Sequence, residues 1–114
     1  MRVLVANEPR SYREAIARVL VQTRPHVETV TADAEVLAEA VRRFAPDLVV
    51  CSAIDEALAA RLGAWIELYP EGHALARVCI DGRRSTLENP DLAEVLAVVD
   101  AAAASNGRAA AAAT

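Results

Sequence analysis

The sequence predicts an α/β domain with a mostly parallel sheet, on three observations. Two short β-branched runs, residues 2–6 (Arg-Val-Leu-Val-Ala) and 47–52 (Asp-Leu-Val-Val-Cys-Ser), read as strands buried on both faces. Apolar residues at helical spacing lie between them. An Asp81-Gly82 pair in the last third is a tight-turn signal, so that part of the chain departs from simple alternation.

Each element follows from its residues. Asn7-Glu8-Pro9 ends the first strand. Ser11 can then cap a helix, with Glu14 completing a capping box. Ile16, Val19 and Leu20 form its apolar stripe, and Arg24-Pro25 stops it. Residues 26–31 alternate with period two, as a half-exposed edge strand does. Asp33 can cap a second helix, where Val36, Leu37, Ala40, Val41 and Phe44 recur at helical spacing before Pro46. With the strand at 47–52 the order is β-α-β-α-β, which implies parallel pairing and right-handed crossovers.

After Ser52 two readings stand. Asp55 can cap a helix through Leu62, with Gly63 as its stop. If residues 64–72 continue that helix, Leu58, Leu62, Trp65, Ile66 and Tyr69 share a face. If they form a strand, Trp65, Glu67 and Tyr69 point one way, and Ile66 and Leu68 the other. Gly63 and the β-propensity of Trp, Ile and Tyr favour the strand. Residues 75–80 are a strand in either case. Arg84 to Leu87 can return antiparallel after Asp81-Gly82, making 64–88 a candidate meander. Asn89-Pro90-Asp91 then starts a final helix, with Leu92, Val95, Leu96 and Val99 inward. The domain is expected to span residues 1–104, with the alanine-rich 105–114 a disordered tail.

Composition narrows the function classes. Hydrophobic residues make up 54% of the 114, enough for a real core, but only four are aromatic. Net charge is −4, lysine is absent, and Arg42-Arg43 and Arg83-Arg84 are isolated pairs. Nucleic acid and anionic membranes require clustered cations, so neither is an expected partner. Cys51 and Cys79 sit in apolar runs without Cys-x-x-Cys or Cys/His spacing. They read as buried free thiols of a reducing compartment, with no metal site. The opening apolar run is too short for a signal peptide, and no stretch approaches the ~18 residues that span a bilayer. A cytoplasmic protein is expected.

The opening strand with its polar end, the capped helix, and Ala45-Pro46-Asp47-Leu48-Val49-Val50 before the third strand resemble the response-regulator receiver family. The resemblance covers residues 1–55 and fades beyond them. It implies a flavodoxin-like three-layer sandwich whose C-terminal third is altered. It also implies site positions. The family's two Mg²⁺-holding acids at the end of the first strand fall on Asn7 and Glu8. Its phosphoacceptor aspartate falls on Ser52, which cannot form an acyl phosphate. Its Ser/Thr after the fourth strand falls on Ile80-Asp81-Gly82. Its lysine has no counterpart, and Arg83 or Arg84 would bring charge without the same compact geometry.

Asn7, Glu8, Ser52 and Asp81 are thus expected to form a degenerate phosphorylation pocket, with no catalysis and no cofactor. The implied role is a stand-alone pseudo-receiver in two-component signal transduction, acting by protein–protein contact, with a homodimer as a candidate form. Trp65, Tyr69, Arg83 and Arg84 are interface candidates, and the open edge of the meander suits strand pairing between chains. The alternative is a small-molecule or nucleotide-binding module using the carboxyl ends of the strands, although no Gly-rich phosphate loop is present.

Plainer readings stand beside these. Glu8, Asp55 and Asp81 can cluster around a cation, or be two solvated acids and a helix cap. Trp65 and Tyr69 can anchor a partner or cover the final helix. Ser52 with His73 lacks the Gly-x-Ser-x-Gly elbow of a hydrolase. Cys51 lies in apolar surroundings that raise a thiol pKa and make it inert.

Overall fold

Val3, Val5, Leu48 and Val50 are each completely buried on one side of a sheet, and Leu4, Val49 and Cys51 on the other. Period-two alternation sends successive side chains to opposite faces, so a strand that is apolar at every position needs cover on both. Full burial of each such side chain is worth about 1.5–3 kcal/mol, which places these two strands at the centre. The computed structural model describes residues 1–68 and 75–113. Its elements are β1 (Arg2–Ala6), α1 (Arg10–Thr23), β2 (Glu28–Thr31), a 3₁₀ turn (Ala34–Val36), α2 (Leu37–Phe44), β3 (Leu48–Cys51), α3 (Glu56–Ala59), β4 (Ala64–Glu67), β5 (Leu75–Ile80), β6 (Arg83–Glu88) and α4 (Leu92–Ala113).

The six strands form one mixed sheet in the order β2-β1-β3-β4-β5-β6. Pairings β1–β2, β1–β3 and β3–β4 are parallel, whereas β4–β5 and β5–β6 are antiparallel. The α/β expectation holds, and so does the meander. Residues 64–67 are a strand, because Gly63 breaks the helical path and Trp65 and Ile66 each find an apolar layer. Ile80 pairs with Arg83 across a two-residue turn, and both Asp81 (φ 53°) and Gly82 (φ 80°) are left-handed, as a type I′ hairpin requires.

α1 and α4 cover one face, burying Ile16, Leu20, Val95, Val98 and Val99 against Val3, Val50, Ile66 and Val78. α2 and the short α3 cover the other, where Leu37 and Leu58 meet Leu4, Val49, Trp65 and Cys79. Several local expectations are corrected. α1 starts at Arg10, ahead of Ser11; the Pro9 carbonyl accepts from Tyr12 and Arg13, and Glu14 instead pairs with Arg10 at 2.8 Å. Asp33 precedes the 3₁₀ turn without capping it, since Arg13 Nη1 holds its carboxylate at 3.2 Å. The Asp55 cap is present, accepting from Leu58 N at 2.7 Å, but α3 stops at Ala59 rather than Leu62. Leu92 is half exposed, and Val98 takes an inward position instead. Residues 105–113 continue α4 as helix, where a disordered tail is expected from the sequence. Asp91 and Glu94 start that helix as a reciprocal cap, with Glu94 N donating to Asp91 Oδ1 at 2.8 Å.

Candidate functional site

The parallel strands β1, β3 and β4 end side by side, which brings Asn7, Ser52 and Glu67 to one edge of the sheet. Asn7 follows β1 and is completely buried. Its Nδ2 donates to the Leu68 carbonyl at 3.3 Å, and its Oδ1 has no partner among the described residues. Ser52 follows β3. Its Oγ accepts from Glu8 N at 2.9 Å and donates to the Glu8 carbonyl at 3.4 Å, tying the β1–α1 turn to β3. Asn7, Glu8 and Ser52 therefore lie together at the ends of β1 and β3.

Asp81 is not among them. β5 runs antiparallel to β4, so its end lies beside the start of β4, and Asp81 N donates to the Gly63 carbonyl at 2.8 Å. The residue belongs to the opposite end of the sheet from Ser52. The receiver resemblance places the end of the fourth strand at Ile80; residues 75–80 are the fifth strand, and the fourth ends at Glu67. The Glu8, Asp55 and Asp81 cluster is excluded for the same reason, and no group of three His, Cys, Asp or Glu side chains arranged to hold a metal occurs among the described residues.

The interface candidates separate as well. Trp65 is only 1% exposed and packs among Leu4, Val49, Leu58 and Cys79, on the face opposite α4. It neither anchors a partner nor covers the final helix. Tyr69 and His73 lie outside the described residues. Arg83 is exposed beside the hairpin turn. Arg84 is bidentate on Glu56 at 2.7 and 3.1 Å, and its guanidinium lies 5.4 Å from the Trp65 ring. That pairing holds the Glu56 carboxyl below the usual carboxylate range.

Sequence reasoning missed Glu67 and Arg77. Glu67 is buried, 3% exposed, at the end of β4. Arg77 stands directly opposite on β5 and donates to it at 2.8 and 3.1 Å, while Ile54 N donates at 2.9 Å. The signal was an acid between Ile66 and Leu68, in phase with Trp65. Only the hairpin register supplies its cation. Cys51, beside this pair, donates weakly from Sγ to the Ile66 carbonyl at 3.7 Å. Burial, reinforced by the Glu67 charge, pushes its thiol up to about 12, so it is no nucleophile.

The chemistry this edge offers is limited. An amide committed to a carbonyl and a hydroxyl committed to a turn stand where carboxylates would be needed to hold a divalent cation. An Asn7→Asp variant should cost about 2–4 kcal/mol at pH 7, because it loses the donor to Leu68 and sets a buried charge against a carbonyl oxygen. Burial raises the folded-state pKa of such a carboxyl above its unfolded value, so the native state binds the proton more tightly. The deficit against wild type must then shrink as pH falls from 7 to 5. Urea denaturation at both pH values checks this; a deficit that grows on acidification contradicts it. Compared with protein-family models, with curated proteins and with solved structures, the chain matches none.

Proposed function

We propose that this chain is a receiver-like module that takes up no phosphoryl group and acts in signal transduction by contact with another protein. The observation that carries the reading is the state of the strand ends. Ser52 occupies the position after β3, its hydroxyl bound to Glu8, and Asn7 occupies the position after β1, its amide bound to Leu68. Both groups serve the fold. The strand order β2-β1-β3-β4-β5 is the one that flavodoxin-like sheets use, and it supports descent from that scaffold even though β5 is reversed here. Cys51 and Cys79 stay free within one core cluster, which fits a cytoplasmic setting. No helix among the described residues is long and apolar enough to cross a membrane.

Incubation with radiolabelled acetyl phosphate and Mg²⁺ tests the reading. Wild type is expected to remain unlabelled. Ser52→Asp is also expected to remain unlabelled, because an acceptor without a second acid at position 7 and without a lysine lacks the charges that stabilise transfer. Hydroxylamine-sensitive label on the wild-type chain would overturn the proposal.

A further inference from the structure

β6 is the last strand of the sheet, and residues 83–86 and 88 on it are exposed. Its backbone parity follows from the turn. In a two-residue hairpin the flanking residues exchange both hydrogen bonds, so Ile80 and Arg83 form a bonded pair, followed by Val78 with Ser85 and Ala76 with Leu87. Asp81 N donating to the Gly63 carbonyl agrees, because it places the odd-numbered residues of β5 toward β4. Arg84, Thr86 and Glu88 therefore direct their N–H and C=O groups away from the sheet.

We propose that this edge pairs antiparallel with β6 of a second copy of this chain, about a two-fold axis centred on Thr86. Two identical strands pair antiparallel in one sheet only when the axis is normal to the sheet, which sets a residue opposite itself at the centre. Centring on Thr86 makes Thr86 face Thr86 and Arg84 face Glu88 of the second copy, twice over. All three are outward-bonding pairs, giving about six backbone hydrogen bonds. Each arginine also meets a carboxylate on the same face of the sheet. Arg84 already holds Glu56, and a guanidinium has donors enough for a second acid. Centring on Ser85 instead sets Arg84 opposite Thr86 and Arg83 opposite Leu87, with fewer bonds and no charge pair. The opposite edge, β2, is four residues long, with Glu28 as its one charge, and has no such self-complementarity. Charges at an edge strand usually discourage pairing. Here their signs match under the two-fold.

The proposal deepens the contact reading above by naming the partner, and rests on that reading for the dimer's role though not for its geometry. A five-residue ladder, Arg84 to Glu88 on each strand, is small among specific interfaces, so the association is of the weak, micromolar kind. Light scattering at on the order of 100 μM should give a mass approaching twice 12.1 kDa. Thr86→Pro should give a monomer with an unchanged unfolding midpoint, because the lost N–H points to solvent in the single chain. Under mild oxidation Thr86→Cys should cross-link at least ten times faster than Ser85→Cys, since bonded opposite residues stand about 5.5 Å apart at Cα, within disulfide reach. A monomeric wild-type mass, or equal cross-linking at both positions, overturns the proposal. Labelling by acetyl phosphate would instead sink the functional reading and leave this dimer standing.

Discussion

Trp65→Ala should destabilise the chain by about 3–5 kcal/mol, the range for emptying a fully buried indole site. A domain of this size has about 5–15 kcal/mol in all, so a substantial fraction unfolds under mild denaturant. The size of the effect comes from position. Trp65 is the largest fully buried side chain and fills the layer beneath β3, β4 and β5, where α3 is only one turn long. Arg77 and Arg84 complete its cover, each 5.4 Å from the ring centroid. Trp65→Phe should cost much less, about 1–2 kcal/mol, because most of the volume stays and Nε1, buried without a partner among the described residues, is removed. Trp65 is the sole tryptophan, so both variants should be followed by far-UV circular dichroism in urea. Equal losses for Ala and Phe would show that volume is not what the site requires.

Arg77→Ala should cost about 3–5 kcal/mol, since it leaves the Glu67 carboxylate buried without its guanidinium. Glu67→Ala should cost less, about 2–3 kcal/mol, because Arg77 is 39% exposed and keeps water and Glu56 as partners. The double variant should then be more stable than the two single losses added together, by at least about 1 kcal/mol. A double-mutant cycle from urea midpoints measures this. Additive losses would mean that the bidentate contact contributes nothing beyond its separate halves.

The parts legible in the sequence were those decided locally. The runs at 2–6 and 47–52 were apolar at every position, and the Asp81-Gly82 turn carries its own backbone chemistry, so strands and hairpin fell where expected. Asp55 capped α3 as its type and place suggested. What escaped was decided by register and polarity. Asp81 lies at the end of the sheet opposite to the expected one, because nothing within 75–80 states which way the strand runs. Glu67 and Arg77 are ten residues apart, and only the β4–β5 pairing makes them a pair. Trp65 suits an anchor for a partner or a cover for the final helix equally well by sequence, and the strand parity of β4 sends it to the face opposite α4.

Reversal of β5 divides the sheet by the chain entropy each ladder demands. β5 and β6 join across two residues, whereas β1 and β3 are brought together only after about 40 residues of intervening chain. By the logarithmic dependence of closure on loop length that difference is about 3 kcal/mol. The meander is the portion the polypeptide can assemble from neighbours alone. The parallel half exists only once the crossovers of both helical layers are in place.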